Sequence, residues 1–213
     1  MRENSAYWNN YYGGSSGDIS ESPSQFAAFV IGEIGQIREV VDVGCGTGRD
    51  ALFFARHGCA VLGVDASRQA VELCTRKSEE LGLSKRTDFI CGQVGDPVLA
   101  SALKSRVGGP LVVYARFFLH AVAEDVESAF IDLARSVMDS GSMLAVEFRT
   151  PRDRLLRKET GDHFRRYIDA STLLMKLGEA GFRVEYFVEG FGYAKYLSDD
   201  AHAARILCRR DAK

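Results

Sequence analysis

The stretch VVDVGCGTGRD, residues 40–50, decides how this chain folds. An apolar run, Glu39–Val43, passes straight into Gly44, Gly46 and Gly48, placed at every second position. Arg49 and Asp50 then open a charged helix start. A strand that reads as a solid apolar run is buried on both faces, as in a parallel sheet covered by helices. Glycine lets the backbone take positive φ and approach a ligand closely. A helix opening at the same place adds its unpaired N–H groups.

Outward from this turn the chain alternates strand and helix. A helix is expected from about Pro23 to Ile37, capped by Ser22 or Ser24, with Phe26, Phe29, Val30 and Ile34 on one face. After Glu39–Val43 come a short helix, Arg49–His57, and a strand, Ala60–Val64. Ser67 caps a helix to about Leu81, followed by a strand at Thr87–Gly92 and a weak helix near 97–105. Pro110–Ala115, the helix Ala123–Met138 and Ser142–Phe148 complete five strand–helix units. A helix at Ala170–Ala180 and strands at Arg183–Glu189 and Ala204–Arg209 end the chain. The segment FGYAKYLSDDAH between those last strands reads as a loop or hairpin connection. The class is α/β: a Rossmann-like, doubly wound, seven-stranded, mostly parallel sheet with helices on both faces.

Spacing narrows the ligand of the glycine turn. A dinucleotide fingerprint, G-x-G-x-x-G, puts its third glycine at position 49, which is Arg. A P-loop needs Lys after its last glycine, and Arg49 follows Gly48. Asp42, two residues before Gly44, would meet a pyrophosphate with like charge and suits a cationic ligand instead. S-adenosylmethionine (SAM) carries an ammonium and a sulfonium and no phosphate.

The stretch VVDVGCGTGRDALFFA resembles the first motif of class I SAM-dependent methyltransferases, roughly [D/E]-x-G-x-G-x-G. The resemblance covers residues 38–150 in strand order. It implies SAM as cofactor, S-adenosylhomocysteine (SAH) as product and no metal. It implies a cofactor site of Asp42, Gly44, Cys45, Gly46, Gly48, Asp65, Ala66, Gln93, Val94 and Ala115. Asp65 ends VLGVD about twenty residues past the turn, where a carboxylate accepts ribose hydroxyls. In FICGQVGD the family's adenine-binding acid aligns with Gln93, which accepts through its carbonyl oxygen, beside Val94; Asp96 competes for the role. VVYARFFLHAV ends at Ala115-Arg116, by the reactive methyl, and its Leu119-His120 matches a local form of the family. The structural reading of Asp65 is a helix-start acid, and Cys45 is a small apolar filler of the turn.

Arg116 is the candidate anion clamp for the acceptor, against a plain salt bridge to Asp42, Glu147 or another acid. Glu147 and Arg149 fall on the same edge, and His163, Arg165 and Arg166 follow in an expected lid or loop. Residues 147–169 hold seven Lys/Arg and five Asp/Glu, which also suits a solvated, salt-bridged face. If the acceptor must lose a proton, His120 and His163 are the candidate bases. Tyr11 and Tyr12, in the N-terminal YWNNYY cluster, offer stacking surface over the site. The organisation is one domain: a cap at 1–37, a cofactor core at 38–150 and a substrate side at 151–213.

Composition bounds the remainder. The 213 residues carry a net charge of −2, which argues against nucleic-acid binding. No [ND]-P-P-[FYW] tetrapeptide, the mark of base amino-group methylation, follows the fourth strand. Five cysteines without a CxxC pair suit reduced thiols in a cytoplasmic protein rather than disulfides or zinc. No apolar run approaches a membrane span, and the N-terminus has no secretory h-region. The sequence therefore reads as a methyltransferase for a small polar acceptor, anionic, phosphorylated or sugar-like, acting by O-methylation as a monomer or homodimer. A protein or RNA methyltransferase and a dinucleotide oxidoreductase are the alternatives. Titration with NADH should show no binding; micromolar affinity would overturn the choice of cofactor.

Overall fold

Seven strands form one sheet in the order β3-β2-β1-β4-β5-β7-β6, in a computed structural model that describes residues 22–156, 158, 164–196 and 198–210. The strands are β1 (Glu39–Val43), β2 (Ala60–Asp65), β3 (Thr87–Cys91), β4 (Val112–Arg116), β5 (Met143–Arg149), β6 (Phe182–Tyr196) and β7 (Asp199–Arg210). The helices are α1 (Gln25–Glu33), α2 (Arg49–Arg56), α3 (Arg68–Glu80), α4 (Pro97–Lys104), α5 (Glu124–Val137) and α6 (Ala170–Glu179). Neighbours from β3 to β5 pair in parallel, and β7 alone runs antiparallel, between β5 and β6.

Alternation along the strands divides the core in two. Val41, Val113, Leu144 and Ile206 face Leu103, Phe130 and Leu173. Val40, Val112, Tyr114 and Leu207 face Phe26, Val30 and Phe54. The helix starts follow their capping side chains. Ser67 accepts from the Ala70 N–H, Asp96 from Val98 and Asp169 from Thr172.

Two segments differ from the sequence reading. The first helix runs only over Gln25–Glu33, because Ser24 is its cap and Gly35 turns left-handed, φ 59°, just past its end. The segment expected as a connection, residues 191–202, is mostly ladder: Ala194↔Ala201, Lys195↔Asp200 and Tyr196↔Asp199 pair. Small side chains allow it, since Ala194, Ala201 and Ala203 pack together with Phe117 against them. A register shift remains between Gly190 and Ala194. There the Gly192 N–H donates to the Asp200 side chain, Oδ1, at 2.7 Å instead of to a backbone carbonyl of β7. The paired ribbon thus extends past the ends of β4 and β5. Among the described residues no helix is long and apolar enough to cross a membrane.

One buried knot fastens α1 to the glycine turn. The Ser24 N–H donates to Asp50 Oδ1 at 2.8 Å, and the Ser24 hydroxyl donates to Oδ2 at 2.7 Å. The Tyr114 hydroxyl donates to the same Oδ2 at 2.8 Å. Asp50 lies in the first turn of α2 and Tyr114 in β4, so three elements share one carboxylate. Burial pushes the Asp50 carboxyl up, but Arg49, Arg116 and the Ser24 bonds outweigh it and hold the group below its usual value. Ser24→Ala removes a helix cap and one charge-assisted bond, so it should cost about 2–3 kcal/mol in urea unfolding. An unchanged midpoint would refute the knot's role.

Candidate functional site

The turn at the end of β1 is built around missing Cβ atoms. Gly44, Gly46 and Gly48 have φ of 74°, 55° and 77°. A Cβ on Gly44 would lie 2.7 Å from Phe118 Cδ2, and one on Gly48 would lie 2.8 Å from Cys74 Sγ. The Gly44 and Cys45 N–H groups both donate to the Val64 carbonyl, at 2.8 and 3.0 Å. Cys45 is buried, and a hydrogen bond with Cys74, then burial, hold its thiol well above the usual range. It fills space and is no nucleophile.

Asp65 buttresses this turn. Its Oδ2 accepts the Gly46 N–H at 2.9 Å and its Oδ1 the Ser67 N–H at 2.8 Å. Burial raises the carboxyl, against the lowering effect of those N–H groups. Ala66 is exposed beside it. Gln93 is exposed at the end of β3, and its carbonyl accepts from Asp96 N–H. Val94 packs against the core, and Ala115 is fully buried in it. Asp96 is the cap of α4, which accounts for that acid without a ligand.

Asp42 is different. It is 3% exposed, and its carboxylate makes no hydrogen bond to any described residue. Burial first, then Asp50 and Asp65, push its carboxyl well above the usual range, against Arg49 and Arg116. An ionised carboxylate in that position is costly. A cationic group docked beside it lowers the cost, and a phosphate would raise it. The bare glycine backbone and the unpartnered acid together fit the ammonium end of SAM.

The end of β4 supplies the opposite charge. Arg116 Nε donates to Glu147 Oε1 at 2.8 Å. Neither Nη of Arg116 has a hydrogen-bond partner among the described residues, and 16% of the side chain stays accessible. Burial opposes its charge, but Glu147 and Asp50 more than compensate and raise its pKa. Phe117, at φ 56°, takes a left-handed conformation that costs about 1–2 kcal/mol for a bulky residue. Its N–H donates to the Glu147 carbonyl at 2.8 Å, and Arg116 lies 4.4 Å above its ring. This reversal swings Phe118 onto Gly44.

The other acceptor-side candidates are largely paired. Glu147 is fully buried and also accepts from Arg205 Nε, on Oε2, at 2.7 Å. Arg149 binds Asp153 at 2.7 Å and Asp199 at 2.5 Å, so its guanidinium is held within the structure. Arg166 pairs with Glu127, and its N–H donates to the His120 carbonyl at 2.7 Å. His120 is 4% exposed, accepts from the Arg149 N–H at 3.4 Å and sets its ring edge-on to Phe117. Arg165, half-buried, precedes Arg166 in the approach to α6. Tyr11, Tyr12 and His163 lie outside the described residues. Among the described residues no cluster of His, Cys, Asp or Glu could hold a metal ion.

Sequence reasoning missed Asp50, Tyr114 and Arg205. A signal existed for Arg205, a single charge inside the apolar run AHAARILC, because a cation in a core strand demands a buried acid.

Comparison with known proteins agrees with this geometry. A family described as Methyltransferase domain matches residues 40–141. An uncharacterized methyltransferase of Bacillus subtilis (strain 168), YcgJ, is 29% identical over 132 residues, which is 62% of this chain and 49% of that protein. The match therefore spans about half the length of that relative. A solved structure concerned with converting a disulfide bond into a thioacetal group during echinomycin biosynthesis superposes with a TM-score of 0.74 at 22% identity, over 97% of this chain and 92% of that one. Magnesium protoporphyrin IX methyltransferase (ChlM) from Synechocystis PCC 6803, with SAM bound, superposes at 0.68 and 17% identity, over 98% and 97%. At these identities the likeness is one of fold.

Proton linkage at Asp42 gives a measurable consequence. Its folded pKa is raised, so the fold gains from it at low pH and loses that gain as pH climbs from the ordinary carboxylate range through the raised value. A bound cation favours the carboxylate, so SAM affinity should rise with pH through that window, by up to about tenfold per unit. Calorimetry at several pH values should show this rise in the wild type and not in Asp42→Asn. Equal slopes would remove Asp42 from the cofactor site.

Proposed function

We propose that this chain, which belongs to the class I SAM-dependent methyltransferases, transfers a methyl group to an ionised oxygen of a small polar acceptor. The observation that carries the acceptor's charge is Arg116, gripped by Glu147 at Nε alone with both Nη groups unpartnered among the described residues. A fork presented that way matches a carboxylate or phosphate oxygen pair. SAM supplies an electrophilic methyl on a sulfonium. The acceptor oxygen would take that methyl in place of sulfur, with SAH as the leaving group.

The chain's own residues mostly orient. The glycine turn and Asp65 hold the adenosine end, and Asp42 holds the ammonium. Arg116 would fix the acceptor in line, the arrangement worth most when the electrophile is already reactive. An ionised oxygen needs no base. The burial of His120, with Nδ1 facing the Arg149 N–H, favours that reading over a hydroxyl acceptor. A small acceptor is also favoured by the near-neutral charge and by the echinomycin and magnesium protoporphyrin structures among the neighbours. Protein or RNA methylation is the second reading, and dinucleotide chemistry is disfavoured by Asp42.

The test is SAM-to-SAH turnover across phosphorylated sugars, sugar nucleotides and small carboxylic acids. With the best acceptor, Arg116→Ala should lower kcat/KM by about 100-fold or more, the loss of a charge-assisted pair. SAM affinity should change by less than about threefold, since Arg116 does not hold the cofactor. Retained activity in the variant, or turnover confined to uncharged acceptors, would overturn the anionic acceptor.

A further inference from the structure

Glu147 carries two guanidinium groups on separate oxygens. Arg116 Nε takes Oε1 at 2.8 Å and Arg205 Nε takes Oε2 at 2.7 Å. All three side chains are largely closed to solvent: 16% accessible for Arg116, 1% for Glu147 and 6% for Arg205. Left to themselves, an arginine and a carboxylate pair through two parallel N–H···O bonds, because the fork matches both oxygens. Arg116 makes only one of those two bonds, and Oε2 is turned to Arg205 instead.

Arg205 is itself held from three directions. Its Nη2 donates to the Tyr193 carbonyl at 2.5 Å, inside the register shift of β6. Its guanidinium lies 5.3 Å from the Phe26 ring, 5.7 Å from Phe29 and 5.3 Å from Tyr193. The first two rings belong to α1. The same strand is tied to α1 through Gln25, whose Nε2 donates to the Gly192 carbonyl at 3.4 Å and whose Oε1 accepts the Lys195 N–H at 2.9 Å. Arg205 therefore cannot swing away from Glu147 without disturbing α1 and the end of β6.

We propose that Arg205 is a positioning residue that occupies one oxygen of Glu147 and so keeps the terminal nitrogens of Arg116 turned out toward the acceptor. Two cations on one carboxylate also leave the triad with surplus positive charge, partly offset by Asp50 nearby. An oxyanion at Arg116 completes the balance. Without Arg205, Arg116 closes onto both oxygens of Glu147, and the fork is lost to the acceptor while the cofactor site stays intact. The inference deepens the anionic-acceptor reading and rests on it for its catalytic consequence, but the state of the Arg116 fork can be read independently.

The experiment compares wild type, Arg205→Met and Arg205→Lys, with the SAM affinity of each measured alongside. Methylglyoxal, a dicarbonyl that condenses with the two terminal nitrogens of a guanidinium, is the probe. Modification is mapped by mass spectrometry against exposed Arg106, 48% accessible, as internal reference. Arg116 should be modified at least about fivefold more slowly in Arg205→Met. Arg205→Lys, which keeps a cation on Oε2, should restore most of the rate. With an acceptor from the turnover screen, Arg205→Met should raise its KM about tenfold or more while kcat changes less than about threefold, the signature of lost ground-state binding. Equal modification rates in all three proteins would overturn the positioning role. So would a fall in kcat and SAM affinity together, which marks a structural residue. If Arg205→Met does not fold, Arg205→Lys against Arg205→Gln decides by the same readouts. If Arg116 modification follows the prediction but no anionic acceptor turns over, the positioning role stands and the acceptor reading fails.

Discussion

The backbone of residues 44–48 must pass where no side chain could follow, and the rest of the molecule is arranged around that passage. Phe118 closes on it from β4 and Cys74 from α3. Asp65 holds it from β2 and Val64 anchors its first two amides. Val64 and Asp65 stand at the carboxyl end of β2 and Phe118 just past that of β4, while Cys74 reaches in from the middle of α3. Their convergence requires parallel strands side by side, which the β2-β1-β4 order supplies. The strained Phe117 belongs to the same constraint, because only a reversal there brings the next ring onto Gly44.

Charge follows a different logic on the two sides of the turn. On the proposed cofactor side an acid, Asp42, is buried with no hydrogen-bond partner for its carboxylate among the described residues. On the acceptor side the acids are paired, often twice over: Glu147 by two arginines, and Glu127 by Arg166 and Lys176. The first arrangement is costly until a cation arrives. The second is satisfied in itself and spends its geometry on aiming a guanidinium. The proposed reaction, between a cationic donor and an ionised acceptor, asks for that asymmetry.

The fold was legible in the sequence because its strands are short apolar runs punctuated by glycine, a local pattern. The boundaries of β1 match to the residue, and those of the other core strands to within one or two. The long ribbon of β6 and β7 was not legible. FGYAKYLSDDAH carries glycine, charge and small residues, which read locally as a connection, and only pairing across the ribbon with Phe117 makes it a ladder. The site divides along the same line. Gly44, Gly46 and Gly48 meet Asp65 because the parallel neighbours β1 and β2 end at the same edge. Arg149 looked like Arg116 from sequence, a cation at a strand end. What separates them is Asp153 and Asp199, of which the second is fifty positions away.

The position of β7 has a consequence for how the chain becomes complete. It is the last strand, yet it lies inside the sheet, between β5 and β6. Until it inserts, Glu147 has only Arg116 to pair with, and Arg149 lacks Asp199. A growing chain could thus assemble the whole cofactor turn, whose parts all precede residue 120, and still hold a guanidinium folded back onto its neighbour. The insertion of one antiparallel strand then brings Arg205 to Glu147 and Asp199 to Arg149, so the side proposed for the acceptor is finished last.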